Sequence, residues 1–469
     1  MLALLSDLHF CDQTAVDKNV APKAFAIALD GIYKMALDLA AAQRDAVALD
    51  LVFLGDIFDL LRTERWFQKA DGTEVPPSER PWAAADALDG APPPPRALEH
   101  AAAILEDIIA NNHDALAELT ASRPQLAGKV RVRRILLAGN HDRLCLHSDT
   151  LHARMRQALA AVDERSLGAE GIFTHRLELP AYGLLARHGH EHDAWNFARQ
   201  RKDAPAGSYT DADYLPAPIG DPITTELAAR LPFEMRARLR SSAAFTPEEA
   251  DQIHRRLQRL EDVRPVVTAL QWAFQETEAL GRSLPREKAG ALRQALRDSV
   301  LTMVEGFKDL DFYRAWRAGH HLFRTDAQAI LRDLLEVLAV VRADAIANAA
   351  VHFEKLADRV LHAAAKDAYR AGAGLEALDR MQPRGHRCVV YGHTHEPAFA
   401  ALRATPAAED AYLNSGTFRG RIFHTDDHRG FLRVEHMSYL CFFTADEAQA
   451  GWGGPGPAFT SWTGVRTPG

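Results

Sequence analysis

Five short apolar runs, each ending abruptly in a polar cluster, constrain this chain more than any other feature. Leu2–Leu5 stops at Ser6-Asp7, Leu51–Leu54 at Gly55-Asp56, Ile135–Ala138 at Gly139-Asn140, Leu184–Ala186 at Arg187-His188, and Cys388–Tyr391 at Gly392-His393. Runs of this length bounded by polar residues read as buried strands. Helical composition fills Pro22–Ala42, with its proline at the tolerated first turn, and Leu98–Leu119. Strand and helix therefore alternate, which makes the fold class α/β, with chemistry delivered at the strand ends.

The chain has 469 residues, 47% hydrophobic and 25% charged, enough for a substantial core and more than one structural unit. Its net charge of -8 argues against a general nucleic-acid coat, which needs a basic surface. Met1–Ser6 runs straight into a charged motif with none of the features of a cleaved signal, so a cytoplasmic protein is expected. The apolar stretches are too short and too often charged to span a bilayer. Cys11, Cys145, Cys388 and Cys441 are scattered without a CxxC pair, so neither a disulfide framework nor a thiolate zinc site is indicated.

Phe67–Arg96, with Pro76-Pro77, Pro81 and Pro92 to Pro95, reads as a long surface loop able to line a site. Residues 195–383 are far longer than a connection. After a Gly/Pro-rich entry they show helical patterning at Thr225–Ser241, Pro247–Ala279, Pro285–Phe307 and Asp326–Tyr369. Strand-like runs near Ala411–Leu413, Phe431–Val434 and Ser438–Phe443 complete the core. The expected organisation is a core of residues 1–194 and 384–445, an all-helical, cap-like insertion over 195–383, and a Gly/Pro-rich, poorly ordered tail over 446–469.

The polar clusters suit metal binding. Asp7 and His9 are two apart, so strand alternation would project them the same way onto one cation. Asp56 can bridge two cations, whereas Asp59 suits a supporting or substrate-facing role or, as an alternative, a helix N-cap. Asn140 offers a neutral amide oxygen and leaves His141 available for acid–base work, with Asp142 expected to orient its ring. His188 sits at its strand end as a ligand, and His190 is a supporting or substrate-facing residue. His393 and His395 repeat the spacing of two and can serve adjacent metals. Each pair alone is commonplace, but five such elements share no bland explanation.

Taken in order, Asp-x-His, Gly-Asp-x-x-Asp, Gly-Asn-His-Asp, a His followed by Gly, and Gly-His-x-His resemble the signature of the calcineurin-like metallophosphoesterase superfamily. The resemblance covers roughly residues 1–195 and 384–445. It implies a four-layered αββα sandwich carrying an inserted all-helical domain. It also implies one metal held by Asp7, His9, Asp56 and His395 and a second by Asp56, Asn140, His188 and His393. No ligand position is missing. The Asp-Leu-His-Phe and Gly-Asp-Ile-Phe-Asp forms are similar to bacterial members that cleave the pyrophosphate of UDP-diacylglucosamine. The longer insertion and the His188-Gly-His-Glu segment depart from those members, so that substrate is not assigned.

Oxygen and imidazole donors without thiolate suit two divalent transition metals, manganese first, with iron or zinc as alternatives. The expected activity is hydrolysis of a phosphoester or pyrophosphate bond by a hydroxide bridging the metals, with His141 protonating the leaving group. Arg62, Arg65, Trp66 and Arg419 are candidates for holding substrate through fixed charge or a flat apolar face. The expected partner is a phosphorylated small molecule or a lipid-linked phosphate. A repair-type DNA nuclease is disfavoured by the acidic balance, and a non-catalytic scaffold by the complete ligand set. The insertion is expected to cap the site and select substrate, or to form a homo-oligomer contact.

Overall fold

The computed structural model describes residues 1–15, 21–201, 205, 208–264, 269–319, 368–377, 385–405, 408–425, 430–452 and 456–466. The helix expected over Asp326–Tyr369 thus lies, apart from residues 368 and 369, outside the described residues. The strands in chain order are β1 (Leu2–Leu5), β2 (Val47–Leu54), β3 (Val130–Leu137), β4 (Ile172–Phe173), β5 (Arg176–Leu179), β6 (Leu184–Arg187), β7 (Val263–Arg264), β8 (Cys388–Tyr391), β9 (Ala398–Thr405), β10 (Ala408–Asn414), β11 (Gly420–His424), β12 (Phe431–Phe443) and β13 (Ala458–Arg466). They form two mixed sheets. One has the order β3-β2-β1-β12-β11-β7, with β13 also pairing β12, and the other β4-β5-β6-β8-β10-β9.

Alternation along the strands divides their side chains between two faces. Leu2 and Leu4, Val52 and Leu54, and Ile135 and Leu137 point into one cluster with Leu184, Ala186, Val390 and Leu413, so the two sheets share a core. Their alternates Ala3, Leu5, Leu51, Phe53 and Leu136 join Phe25, Leu29 and Ile32 of helix α1 (Pro22–Gln43) and Ile104, Leu105 and Ile108 of helix α2 (Pro95–Asn111). On the far side, Leu185, Val389, Tyr391 and Tyr412 pack on Tyr369, Ala373 and Ala377 of the helical stretch 368–376 and its end. The chain is therefore mixed α/β with two packed sheets, an arrangement compatible with the expected sandwich.

Several boundaries differ from expectation for identifiable reasons. The helix expected over Leu98–Leu119 is two, because Asn112 leaves helical geometry and its amide donates to the carbonyls of Cys11 and Ile108. The Pro-rich loop is irregular but anchored: buried Arg80 donates at 2.7 Å to Glu226, and to the carbonyls of Trp66 and Val75. Over the segment expected to be a poorly ordered tail, Ala445–Trp452 is a helix and Ala458–Arg466 a strand. Alternating Phe459, Ser461, Thr463 and Val465 favour a strand, and the whole of β13 pairs antiparallel with Glu435–Phe443 of β12.

The insertion also departs from an all-helical, separate unit. Its described helices include Arg230–Ser241, Pro247–Leu257, Ala269–Arg282 and Arg286–Lys308. The expected helix Pro247–Ala279 is interrupted where Arg264 precedes a proline, a position that disfavours helix, and Val263–Arg264 instead pairs in parallel with Ile422–Phe423 of β11. Leu231, Met235, Leu292, Leu296 and Val300 belong to the same cluster as α1 and α2. Among the described residues, no helix is long and apolar enough to cross a membrane.

The other end of the insertion is tied by charge. Arg187, the last residue of β6, is fully buried and lies 3.0 Å from Glu376 and 3.6 Å from Glu191. Removing one partner of such a pair strands a buried charge. Glu376→Ala is expected to destabilise the fold by roughly 3–5 kcal/mol, read as a fall in the denaturation midpoint; a change below about 1 kcal/mol would show that Glu191 alone neutralises Arg187.

Candidate metal centre

Strands β1, β2, β6 and β8 stop at the motifs, but the side chains converge by a route that strand alternation does not describe. Asp7 (φ 54°), His9 (φ 43°), Asp56 (φ 55°), His393 (φ 66°) and His395 (φ 60°) are left-handed, and lie beyond the last strand residues. They make up five of the seven non-glycine residues with positive φ among the described residues. Such backbone is costly for residues with a Cβ and clusters where surrounding structure imposes it for function. Backbone bonds impose it here: Asp7 N donates to Gly55 O (3.1 Å), His9 N to Asp56 O (2.9 Å) and His393 N to the Asp7 carboxylate (3.0 Å).

The glycines before the ligands make this convergence possible. A Cβ on Gly55 would lie 2.6 Å from His188 Nδ1, one on Gly139 2.2 Å from Asp56 Oδ1, and one on Gly392 2.6 Å from Asp7 Oδ2. Each motif thus leaves the space that a ligand of another motif occupies.

The expected ligands meet in overlapping groups. Single donor atoms of Asp7, His9 and His395 lie within 4.8 Å of one another, as do those of Asp56, His188 and His393, and those of His9, Asp56 and His141. Asn140 Oδ1 joins the second group at 3.2 Å from His188 Nε2, which is 3.1 Å from Asp56 Oδ2. His188 Nδ1 faces the Leu54 carbonyl at 2.9 Å and so carries the hydrogen, leaving the Nε2 lone pair aimed at two oxygens. His9 Nδ1 faces Asp59 Oδ2 at 2.8 Å, so its Nε2 lone pair likewise confronts His395 Nε2 at 2.9 Å. Asp7 Oδ1, buried without a well-formed hydrogen bond among the described residues, lies 3.2 Å from His395 Nε2.

Such groups packed together out of water favour a cation among them, and oxygen–imidazole donors are those a divalent transition metal takes. The charges within the cluster act strongly on one another. Burial opposes charge on His188, yet Asp56 and Asp7 outweigh it and push the imidazole up to about 10. Burial likewise opposes ionisation of Asp56, while His188 and His141 hold it well below the usual carboxylate range. The buried His/Asp groups can therefore hold metal.

Asp59, not Asp142, orients His141. One Asp59 oxygen takes His141 Nδ1 at 2.8 Å and the other takes His9 Nδ1. The Asp142 carboxylate instead accepts from the backbone N–H groups of Ile57, Phe58 and Gly139, fixing the second and third motifs against each other. Burial and the charge of Asp56 push Asp142 up to about 7. Arg62 Nε is 3.3 Å and Arg419 Nη1 3.9 Å from Asp59 Oδ2, so both guanidinium groups support this carboxylate, and Arg419 is held in turn by Asp262 of the insertion (2.7 Å).

Two candidates fall elsewhere, and a third, His190, lies beside the expected ligands His188 and His393. Arg65 pairs with Asp107 on α2. Trp66 is fully buried against Trp82 and His100 and donates to the Leu60 carbonyl, which makes it a packing residue. His190 packs on Phe197 and Tyr214, and burial pushes its imidazole down to about 3, so it stays neutral beside His188. The sequence reading did not single out Asp193 and Asn196, which stand behind His393 and Asn140. Their only signal was that Asp193 closes the histidine-rich tract His188–Asp193.

No protein-family model, curated protein or solved structure matches the chain.

The interlocking glycines give a test of the geometry that is independent of any substrate. In Gly139→Ala the new methyl would also lie 2.4 Å from the Asp56 backbone nitrogen, so the neighbouring motif must move. The variant is expected to lose roughly 1–3 kcal/mol of stability, as overpacked sites do, and to bind metal more weakly. A melting temperature and metal content equal to those of the parent would refute the interlock.

Proposed function

We propose that the chain is a binuclear metal-dependent hydrolase of phosphoester or pyrophosphate bonds, of the metallophosphoesterase type that its motifs resemble. The reading rests on one observation above the rest: left-handed backbone at Asp7, His9, Asp56, His393 and His395 turns buried donors from three separate motifs toward one another. Asp7, His9, Asp56 and His395 would hold one cation, and Asp56, Asn140, His188 and His393 the other. With Nε2 of His393 engaged by Asp193, its Nδ1 is the nitrogen left to ligate. Manganese heads the candidates, with iron or zinc as alternatives. When bound, the two cations supply a water-derived nucleophile near neutral pH and neutralise phosphoryl charge.

The chain's own residues do the rest. Asp59 accepts from Nδ1 of both His9 and His141, so His141 presents Nε2 to the site, and the carboxylate stabilises the imidazolium. His141 N–H donates to Asp56 Oδ1 at 2.8 Å, which fixes the ring's origin beside the shared carboxylate. This suits His141 to donate a proton to a departing alkoxide. Phosphorylated small molecules or lipid-linked phosphates are the substrate class in view.

Elemental analysis of manganese-reconstituted protein is expected to give close to two metals per chain, with both lost in Asp56→Asn. One or none in the parent protein would sink the assignment. His141→Ala is expected to keep both metals while hydrolysis of an alkyl phosphoester falls roughly 10²–10⁴-fold, and less for an activated aryl ester. Loss of metal in that variant would instead make His141 a ligand, as its grouping with His9 and Asp56 permits.

A further inference from the structure

Asp193 and Asn196 stand on one turn of chain directly after the His188 motif, and together they touch two ligands from two other motifs. Asp193 Oδ2 lies 3.0 Å from His393 Nε2 and also accepts from Asn196 Nδ2 at 2.7 Å. Asn196 Oδ1 in turn accepts from Asn140 Nδ2 at 3.4 Å. The sequence of contacts is therefore His393, Asp193, Asn196, Asn140. The turn itself is fixed: Asp193 Oδ1 accepts from Trp195 N at 2.9 Å, and Trp195 O accepts from Gly220 N at 2.7 Å. A Cβ on Gly220 would lie 2.6 Å from Asn196 Oδ1, so only a glycine leaves the amide in place. From the far end of the insertion, Tyr369 OH donates to Asp193 Oδ2 at 3.5 Å.

We infer that the Asp193–Asn196 turn is a positioning clamp for one metal of the pair, the one assigned above to Asp56, Asn140, His188 and His393. The inference rests on the binuclear reading and adds to it a division of labour. Two consequences follow from hydrogen-bond chemistry. A carboxylate on His393 Nε2 holds the ring as the tautomer with a lone pair on Nδ1, the arrangement metal-bound histidines commonly have. An acceptor on Asn140 Nδ2 decides which end of the amide faces His188 and Asp56, turning the oxygen, the only end that ligates, toward the metal. The described supports of the other site are Asp59, which faces Nδ1 of His9, and Asp7, which neighbours His395. The other site is therefore held by a different set of supports.

The test uses the full chain reconstituted with manganese and reads metal, not turnover. The parent protein is expected to show the exchange-coupled electron paramagnetic resonance signal of two neighbouring Mn(II) ions. In Asp193→Ala and Asn196→Ala, affinity for one ion is expected to fall roughly 10–100-fold, the usual effect of losing such a support. At manganese concentrations that saturate only the tighter site, the coupled signal gives way to that of an isolated ion. Asp193→Asn keeps an acceptor oxygen and is expected to fall between the parent and the alanine variant, with circular dichroism checking that the fold is kept.

Unchanged affinity for both ions in Asp193→Ala would overturn the clamp while leaving the binuclear reading standing. Equal weakening of both ions in a folded Asp193→Asn would overturn it as well, since a general structural role moves both sites. A parent protein that binds no manganese would remove the binuclear reading itself, and the clamp with it.

Discussion

Everything around the strand ends answers to one electrostatic constraint: Asp7, Asp56 and Asp59 are carboxylates buried among imidazoles where water is excluded. Left without compensation, such an arrangement would cost more than a domain's net stability. The protein compensates part of it with fixed donors. His9 and His141 face Asp59, His393 N and His141 N serve Asp7 and Asp56, and Arg62 and Arg419 approach from behind. The remaining groups face one another: His188 Nε2 meets Asp56 and Asn140, while His9 Nε2 and Asp7 Oδ1 both meet His395. These groups have the donor character of a cation site, so the packing can hold a metal where the motifs suggest one.

The identity of the candidate ligands was legible in the sequence because each stood at the end of an apolar run, and strand ends place side chains together in an α/β fold. The manner of their meeting was not legible. Spacing of two suggested alternation, whereas left-handed backbone at Asp7, His9, His393 and His395 turns each pair inward, a choice made by hydrogen bonds between motifs far apart in the chain. Partnership was equally hidden. Asp142 is the sequence neighbour of His141, but Asp59, 82 positions away, reaches the ring. Arg65 and Trp66 looked suited to substrate by type, and only burial assigns them to Asp107 and Trp82. At the C-terminal end, glycine and proline content outweighed the alternation in Phe459–Val465 that β13 expresses.

The insertion is best understood through where its charges go. About a third of the way along it, Asp262 holds Arg419, which faces Asp59; at its end, Glu376 holds Arg187 and Tyr369 reaches Asp193. These contacts approach the two ligand sets through different intermediaries. A helical segment that shares its hydrophobic cluster with α1 and α2 and supports the site in this way is part of the scaffold, so substitutions far along the chain can bear on the chemistry.

The position of β12 has a consequence for biosynthesis. β1 lies between β2 and β12 in its sheet, so its second edge is covered only by a strand some 430 residues later. At translation rates of about 5–20 residues per second, the interval is roughly 20–90 s. During that time Asp7, His9, Asp56, Asn140 and His188 have emerged from the ribosome, while the edge beside them remains an open template for any extended strand. The nascent chain thus carries a partial ligand set on an unfinished sheet, and His393 and His395 emerge only shortly before the strand that closes it.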